Sequence, residues 1–194
     1  AEVIAAQILD VNNWSQFTGY GPLPGIREAV FDVRTPEIVG TMARAGCQAI
    51  CFGVESGSQE ILDLVKKKSS LAKVKEAMRM TQDVGISALA SFIVGLPGET
   101  EETLRKTVEF AEELKNEFGS LYGFHILSPF PGTEVRDKAA DYGIEILNSD
   151  WTKYDANHVV SRTPGASPEA IQAVSDAYES TIERYVQYQD HLVA

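Results

Sequence analysis

The sequence predicts an α/β protein built on a parallel sheet, on three observations. Short apolar runs recur through the middle of the chain, and amphipathic segments with a 3.6-residue rhythm separate them. A glycine also stands at each passage from helix to strand, at Gly46, Gly85, Gly119 and Gly143. Alternating strands and helices imply parallel pairing with right-handed crossovers. An open doubly wound sheet and a slice of a β/α barrel both satisfy this pattern.

The elements follow in order. The opening AEVIAAQILDVNN reads as helix, and because the chain does not start with Met the expectation is a piece of a longer protein. EAVFDVR, around residues 29–33, is the first strand candidate. Pro36 marks the start of a short helix and Gly46 its end. CQAICFG is the next strand. Leu71, Val74, Met78, Thr81 and Val84 then form one apolar stripe of a helix. After ISALASFIVG comes a helix capped by Thr100, with Glu101 and Glu102 placed favourably against its dipole. Its stripe is Leu104, Val108, Ala111, Leu114 and Phe118. SLYGFHIL is the following strand, and GIEILNS after Gly143 a weaker one. The strands alternate little, as expected where both faces are buried. Residues 1–142 therefore read as the α/β body and 143–194 as an extension. The extension carries a long helix capped by Ser167, started by Pro168 and packed outside the sheet through Ile171, Val174, Tyr178 and Ile182.

Composition narrows the classes of function. The net charge is −11 over 194 residues, which disfavours a nucleic-acid partner held by bulk charge. No apolar run is long enough to span a membrane. Two cysteines make no disulfide framework and suggest a reducing, cytoplasmic setting. On one extended strand Cys47 and Cys51 would share a face about 13 Å apart. That is too far for a disulfide, whose Cα atoms lie within about 7 Å. It is also too far for joint ligation of one cluster. Both cysteines read as small core residues, and no metal site is expected in this chain.

Ligands of parallel α/β folds sit at the C-terminal strand ends. Here those ends carry Asp32 and Arg34, GVESGS with Glu55 and Ser56, VGLPGET, and SPFPGTE with His125 just inside.

RAGCQAICFGVESGSQEILDLVKKK, GISALASFIVGLPGETEETLRKTVEFAEEL and SPFPGTEVRDKA, in this order, resemble a radical S-adenosylmethionine (radical SAM) enzyme. The resemblance is to the cobalamin-binding-domain type, which includes anaerobic Mg-protoporphyrin IX monomethyl ester oxidative cyclases and methyltransferases. It covers about residues 28–160. It implies a partial (β/α) TIM-like barrel, of which this chain holds four parallel strands, numbers three to six, plus the helical extension. It implies chemistry in which a [4Fe–4S] cluster and S-adenosylmethionine generate a 5′-deoxyadenosyl radical that acts on a small-molecule substrate, with cobalamin as a further cofactor of the parent protein. The cluster loop is absent from this chain, so the chain alone is expected to be inactive and to bind none of these cofactors.

The resemblance also implies site residues. Glu55 binds the ribose or amino-acid end of S-adenosylmethionine, with Ser56 beside it. Lys67 pairs with the cofactor carboxylate, or Lys66 if the register slips. Ser91 faces the ribose. Phe92, Ile93 and Gly95 line the adenine. Arg34 or Asp32 faces the cavity, and His125 and Ser128 are the candidates on the last strand. One departure stands out: relatives often read Lys-Gly-x-Thr where this chain has KKSS, with Lys68 replacing the glycine and Ser70 the threonine. A raw sheet edge at residues 29–33 would invite self-association.

Two other readings stay open on the residues alone. One is a complete α/β enzyme of another class using the Glu55 and Asp32 carboxylates. The other is a non-catalytic acidic interaction domain.

Overall fold

The computed structural model describes residues 35–177. The strand expected at 29–33, with its edge, lies outside them, as do Asp32, Arg34, Tyr178 and Ile182. Helix α1 spans Pro36–Arg44, with Thr35 as its cap accepting from the Ile38 amide. Strand β1 spans Ala49–Glu55, α2 Gln59–Leu64 and α3 Leu71–Asp83, the last capped by Ser70. Strand β2 runs Ser87–Val94, α4 Glu101–Phe118 and β3 Leu121–Ile126. Thr100 and Thr103 close a reciprocal capping box at the start of α4, as the sequence predicts for Thr100. All four glycines that end a helix ahead of a strand candidate take left-handed φ, between 65° and 87°.

The three strands are parallel and ordered β1–β2–β3. Their alternate residues divide between two faces. Val54, Ala88, Ala90, Phe92, Val94, Phe124 and Ile126 pack into one core with Val74 and Met78 of α3 and Leu104, Phe110, Ala111, Leu114 and Phe118 of α4. Ile50 packs with Val39 of α1, Cys47 and Ile86 in a second cluster. The other face is not buried to match. Strand β2 alternates fully buried with half-exposed residues, against the expectation of strands buried on both sides. Among the described residues, helices α1, α3 and α4 all pack on one face.

Two further expectations change. GIEILNS does not join the parallel sheet. Its two-residue strand β4, Glu145–Ile146, pairs antiparallel with β5, Ser161–Arg162, in a sheet of its own. Between β3 and β4 lies the short helix α5, Glu134–Asp137. Helix α6 (168–177) starts at Pro168, and Ser167 Oγ accepts from the Ala170 amide at 3.1 Å. Ala166 and Ile171, from the expected extension, belong to the same core as the sheet.

Candidate functional site at the end of strand β1

Strand β1 ends abruptly. Its pairing with β2 shifts between Gly53 and Glu55, so Val54 is skipped and Glu55 pairs with Phe92. Glu55 takes φ 68°, left-handed for a residue with a side chain, at a cost of about 1–3 kcal/mol. The Ser56 amide turns back to the Val54 carbonyl at 2.9 Å. This bulge turns the Glu55 side chain back over Gly53 at the strand's end.

Lys67 meets it there. Its Nζ stands 2.9 Å from Glu55 Oε1, with both side chains about a quarter exposed. The left-handed Lys66, φ 60°, ends the turn after α2, and the Lys67 amide donates to the Leu62 carbonyl at 2.8 Å. Lys67, and not Lys66, therefore reaches Glu55. Lys66 goes instead to Glu134 at 2.8 Å and to the Tyr142 hydroxyl at 3.2 Å. Together with Lys138, these partners hold the Glu134 carboxyl down to about 2.

Ser91 lies one strand over, in register with Gly53 on one side and Gly123 on the other. Ile93 pairs with His125 two residues further along, and His125 is exposed. These residues share the face away from the helices. Phe92 does not: it is fully buried among the helices, so its side chain supports Ser91 and Ile93 from behind. Gly95 takes φ 85°, and its open side is covered by Ile171 and Leu127. The Ser128 hydroxyl is buried without a partner.

Ser56 is fully buried behind the turn. Thr107 Oγ1 donates to the Thr103 carbonyl, which leaves the Ser56 hydroxyl to donate to Thr107 at 3.2 Å while accepting from the Ser58 amide. Both contacts fasten the turn beneath Glu55.

The cysteines are not a pair on one face. Strand β1 begins at Ala49, so its alternation does not extend back to Cys47, which is buried with Ile50. Cys51 is exposed, on the face opposite Ile50, which corrects the reading of both as core residues. Partial burial raises both thiols above their ordinary pKa, with the Glu55 charge adding to the effect at Cys51. Among the described residues no group of three or more His, Cys, Asp or Glu stands together to hold a metal ion.

Glu99 went unnoticed in the sequence. It is fully buried, its Oε2 accepts from the Gly95 amide and from the Leu96 amide at 3.3 Å, and its Oε1 has no partner. Burial pushes its pKa up to about 7 against those two donors. Thr163 Oγ1 donates to its carbonyl, and the Gly165 carbonyl accepts from the Glu101 amide, so residues 163–165 cover it. The available signal was an acid inside GLPGE, where Gly95 and Gly98 both take positive φ.

Comparison with known proteins agrees with this fold. The family model of the radical SAM superfamily matches residues 23–111. An uncharacterized methyltransferase of Pyrococcus horikoshii is 32% identical over 135 residues, 70% of this chain and 28% of that protein. The anaerobic magnesium-protoporphyrin IX monomethyl ester cyclase of Cereibacter sphaeroides is 32% identical over 171 residues, 88% of this chain and 24% of that protein. The radical S-adenosylmethionine methyltransferase TsrM of Kitasatospora setae, solved with cobalamin and a [4Fe–4S] cluster bound, superposes with a TM-score of 0.52. That match has 22% identity over 61% of this chain and 24% of TsrM, a likeness of fold. The chain belongs to the radical SAM superfamily, an enzyme superfamily. It spans about a quarter of the length of these relatives. No helix among the described residues is long and apolar enough to cross a membrane.

Proposed function

We propose that this chain supplies one wall of the S-adenosylmethionine site in a radical SAM enzyme, a cyclase or methyltransferase that also uses cobalamin. The Glu55–Lys67 pair carries the reading. A carboxylate and an ammonium, 2.9 Å apart at a strand end, are complementary to the ammonium and carboxylate of the cofactor's amino-acid end. Glu55 would accept from the ammonium or from a ribose hydroxyl. Lys67 would turn to the carboxylate. Ser91, on the same face, would bond the ribose, and Ile93 and Gly95 would border the adenine. Phe92 and Ser56 would hold these contacts in place from the buried side. Arg34 enters on the resemblance alone.

Bound with the reduced cluster, S-adenosylmethionine supplies the radical chemistry. The described residues do not fit the cluster itself, since their two cysteines lie on opposite sides of β1 and cluster sites take about three or four thiolates. The protein's share is to hold the cofactor and keep the cavity dry. The similarity to a porphyrin cyclase and to methyltransferases supports a small-molecule substrate and cobalamin in the parent protein. The test is a structure of the cluster-loaded parent with S-adenosylhomocysteine bound. Glu55, Lys67 and Ser91 are expected within hydrogen-bonding reach of the ligand. A ligand seated elsewhere, with the Glu55–Lys67 pair untouched, overturns the reading.

A further inference from the structure

Three glycines near the β1 turn look alike in the sequence, yet each faces a different obstacle. A Cβ at Gly57 would stand 2.6 Å from the Lys106 carbonyl oxygen and 2.7 Å from both Thr107 Cα and Phe110 Cβ. Those atoms belong to the framework of α4, so Gly57 lets the turn lie against that helix. A Cβ at Gly98 would stand 2.4 Å from a methyl of Leu64, an apolar loop contact. Gly53 is unlike both. A Cβ there would stand 2.7 Å from Glu55 Oε1 and 3.3 Å from Lys67 Nζ, the two charged atoms of the candidate site. The three atoms nearest to it beyond its chain neighbours all belong to side chains. Glu55 folds back over the strand because its left-handed φ and the bulge turn it there, and the space it occupies exists only because residue 53 has no side chain.

We infer that Gly53 is a positioning residue of the S-adenosylmethionine site: its missing side chain is the seat in which the Glu55 carboxylate is held beside Lys67. The inference rests on the proposed role of Glu55. Ordinary contact between such atoms needs about 3.5 Å. A methyl at residue 53 therefore displaces the carboxylate by several tenths of an ångström. The displaced group is the far end of a flexible side chain, so the fold survives and the cost falls on the geometry of the site. A misplacement of about 1 Å in a positioned group can cost about a hundredfold in function.

The experiment is a double-mutant cycle on S-adenosylmethionine affinity in the cluster-loaded parent, with crystal structures of the variants. Gly53→Ala should move Oε1 out of its seat, leave the melting temperature and cluster content nearly unchanged, and weaken affinity about ten- to a hundredfold. Gly53→Ala combined with Glu55→Gln should bind no more weakly than Glu55→Gln alone, since both act through one carboxylate. A carboxylate that stays in place in Gly53→Ala overturns the inference, whatever the affinities. So does additivity of the two changes, which would mean that the glycine meets the ligand itself. If Glu55→Gln binds like the wild type, the proposed function fails, and the crystal structure of Gly53→Ala still reads the seat on its own.

Discussion

Lys67 Nζ and Glu55 Oε1 lie 2.9 Å apart, joined across a turn, a short helix and a second turn. Two left-handed residues that are not glycine, Glu55 and Lys66, bracket that path. Backbone strain at both ends of the connection brings the two charges together at the C-terminal end of the strand, where ligands of parallel α/β folds sit.

Lys67→Met should separate a binding role from a structural one. The pair is partly exposed, and such pairs contribute at most about 1 kcal/mol to stability. Denaturant unfolding should therefore shift by less than about 1 kcal/mol. Affinity for S-adenosylmethionine in the cluster-loaded parent should fall about tenfold or more, as for loss of a hydrogen bond to a charged group. A variant that binds normally but unfolds more easily would make Lys67 a fastening of the α2 turn.

Glu99 predicts a pH dependence of opposite sign to that of a paired carboxylate. Its folded pKa is raised from 4.5 to about 7. Between those values the folded chain holds a proton that the unfolded chain has lost. Stability is then full below about pH 4.5 and falls as pH rises through about 7, by an amount on the order of 3 kcal/mol. The lowered carboxyls of Glu102, Glu134, Asp150 and Asp155 act below that window. Urea unfolding from pH 5 to 8 should show this loss in the wild type and a flatter profile in Glu99→Gln. Equal slopes in the two would assign the dependence elsewhere.

Gly57→Ala should do what Gly53→Ala does not. Its Cβ meets the framework of α4 at 2.6–2.7 Å, and overpacking of that kind costs about 1–3 kcal/mol. Circular dichroism melting should show a clear drop in midpoint. A midpoint equal to that of the wild type would show that β1 and α4 have more room than these distances allow.

Much of the fold was legible because its signals are local. Pro36 and Thr100 mark helix starts, and Gly46, Gly85 and Gly119 mark the stops before strands, each through the geometry of a single residue. The stripes of α3 and α4 follow from the helical period, and Met78 and Leu114 are indeed fully buried. Glu55 was placed by its position at a strand end, and Lys67 by resemblance. What escaped depends on tertiary partners. Which face Cys51 occupies is set by where β1 begins and by the side on which helices pack. GIEILNS has the composition of a parallel strand, but Ser161–Arg162 offers it an antiparallel partner. Ser56 resembles Glu55's companion in sequence, yet Thr107 of α4 takes its hydroxyl. Glu99 looks like an ordinary acidic residue at a helix start until the loop at 163–165 closes over it.

The most direct measurement is the affinity of Glu55→Gln for S-adenosylmethionine, taken in the cluster-loaded parent protein beside its cluster content and melting temperature. The substitution keeps shape and hydrogen-bonding capacity but removes the charge. A charge-assisted hydrogen bond is worth about 1.5–3 kcal/mol, so the dissociation constant should rise about ten- to a hundredfold while cluster content and melting temperature hold. An unchanged dissociation constant with a lowered melting temperature would contradict the account and make Glu55 a structural residue of the β1 turn.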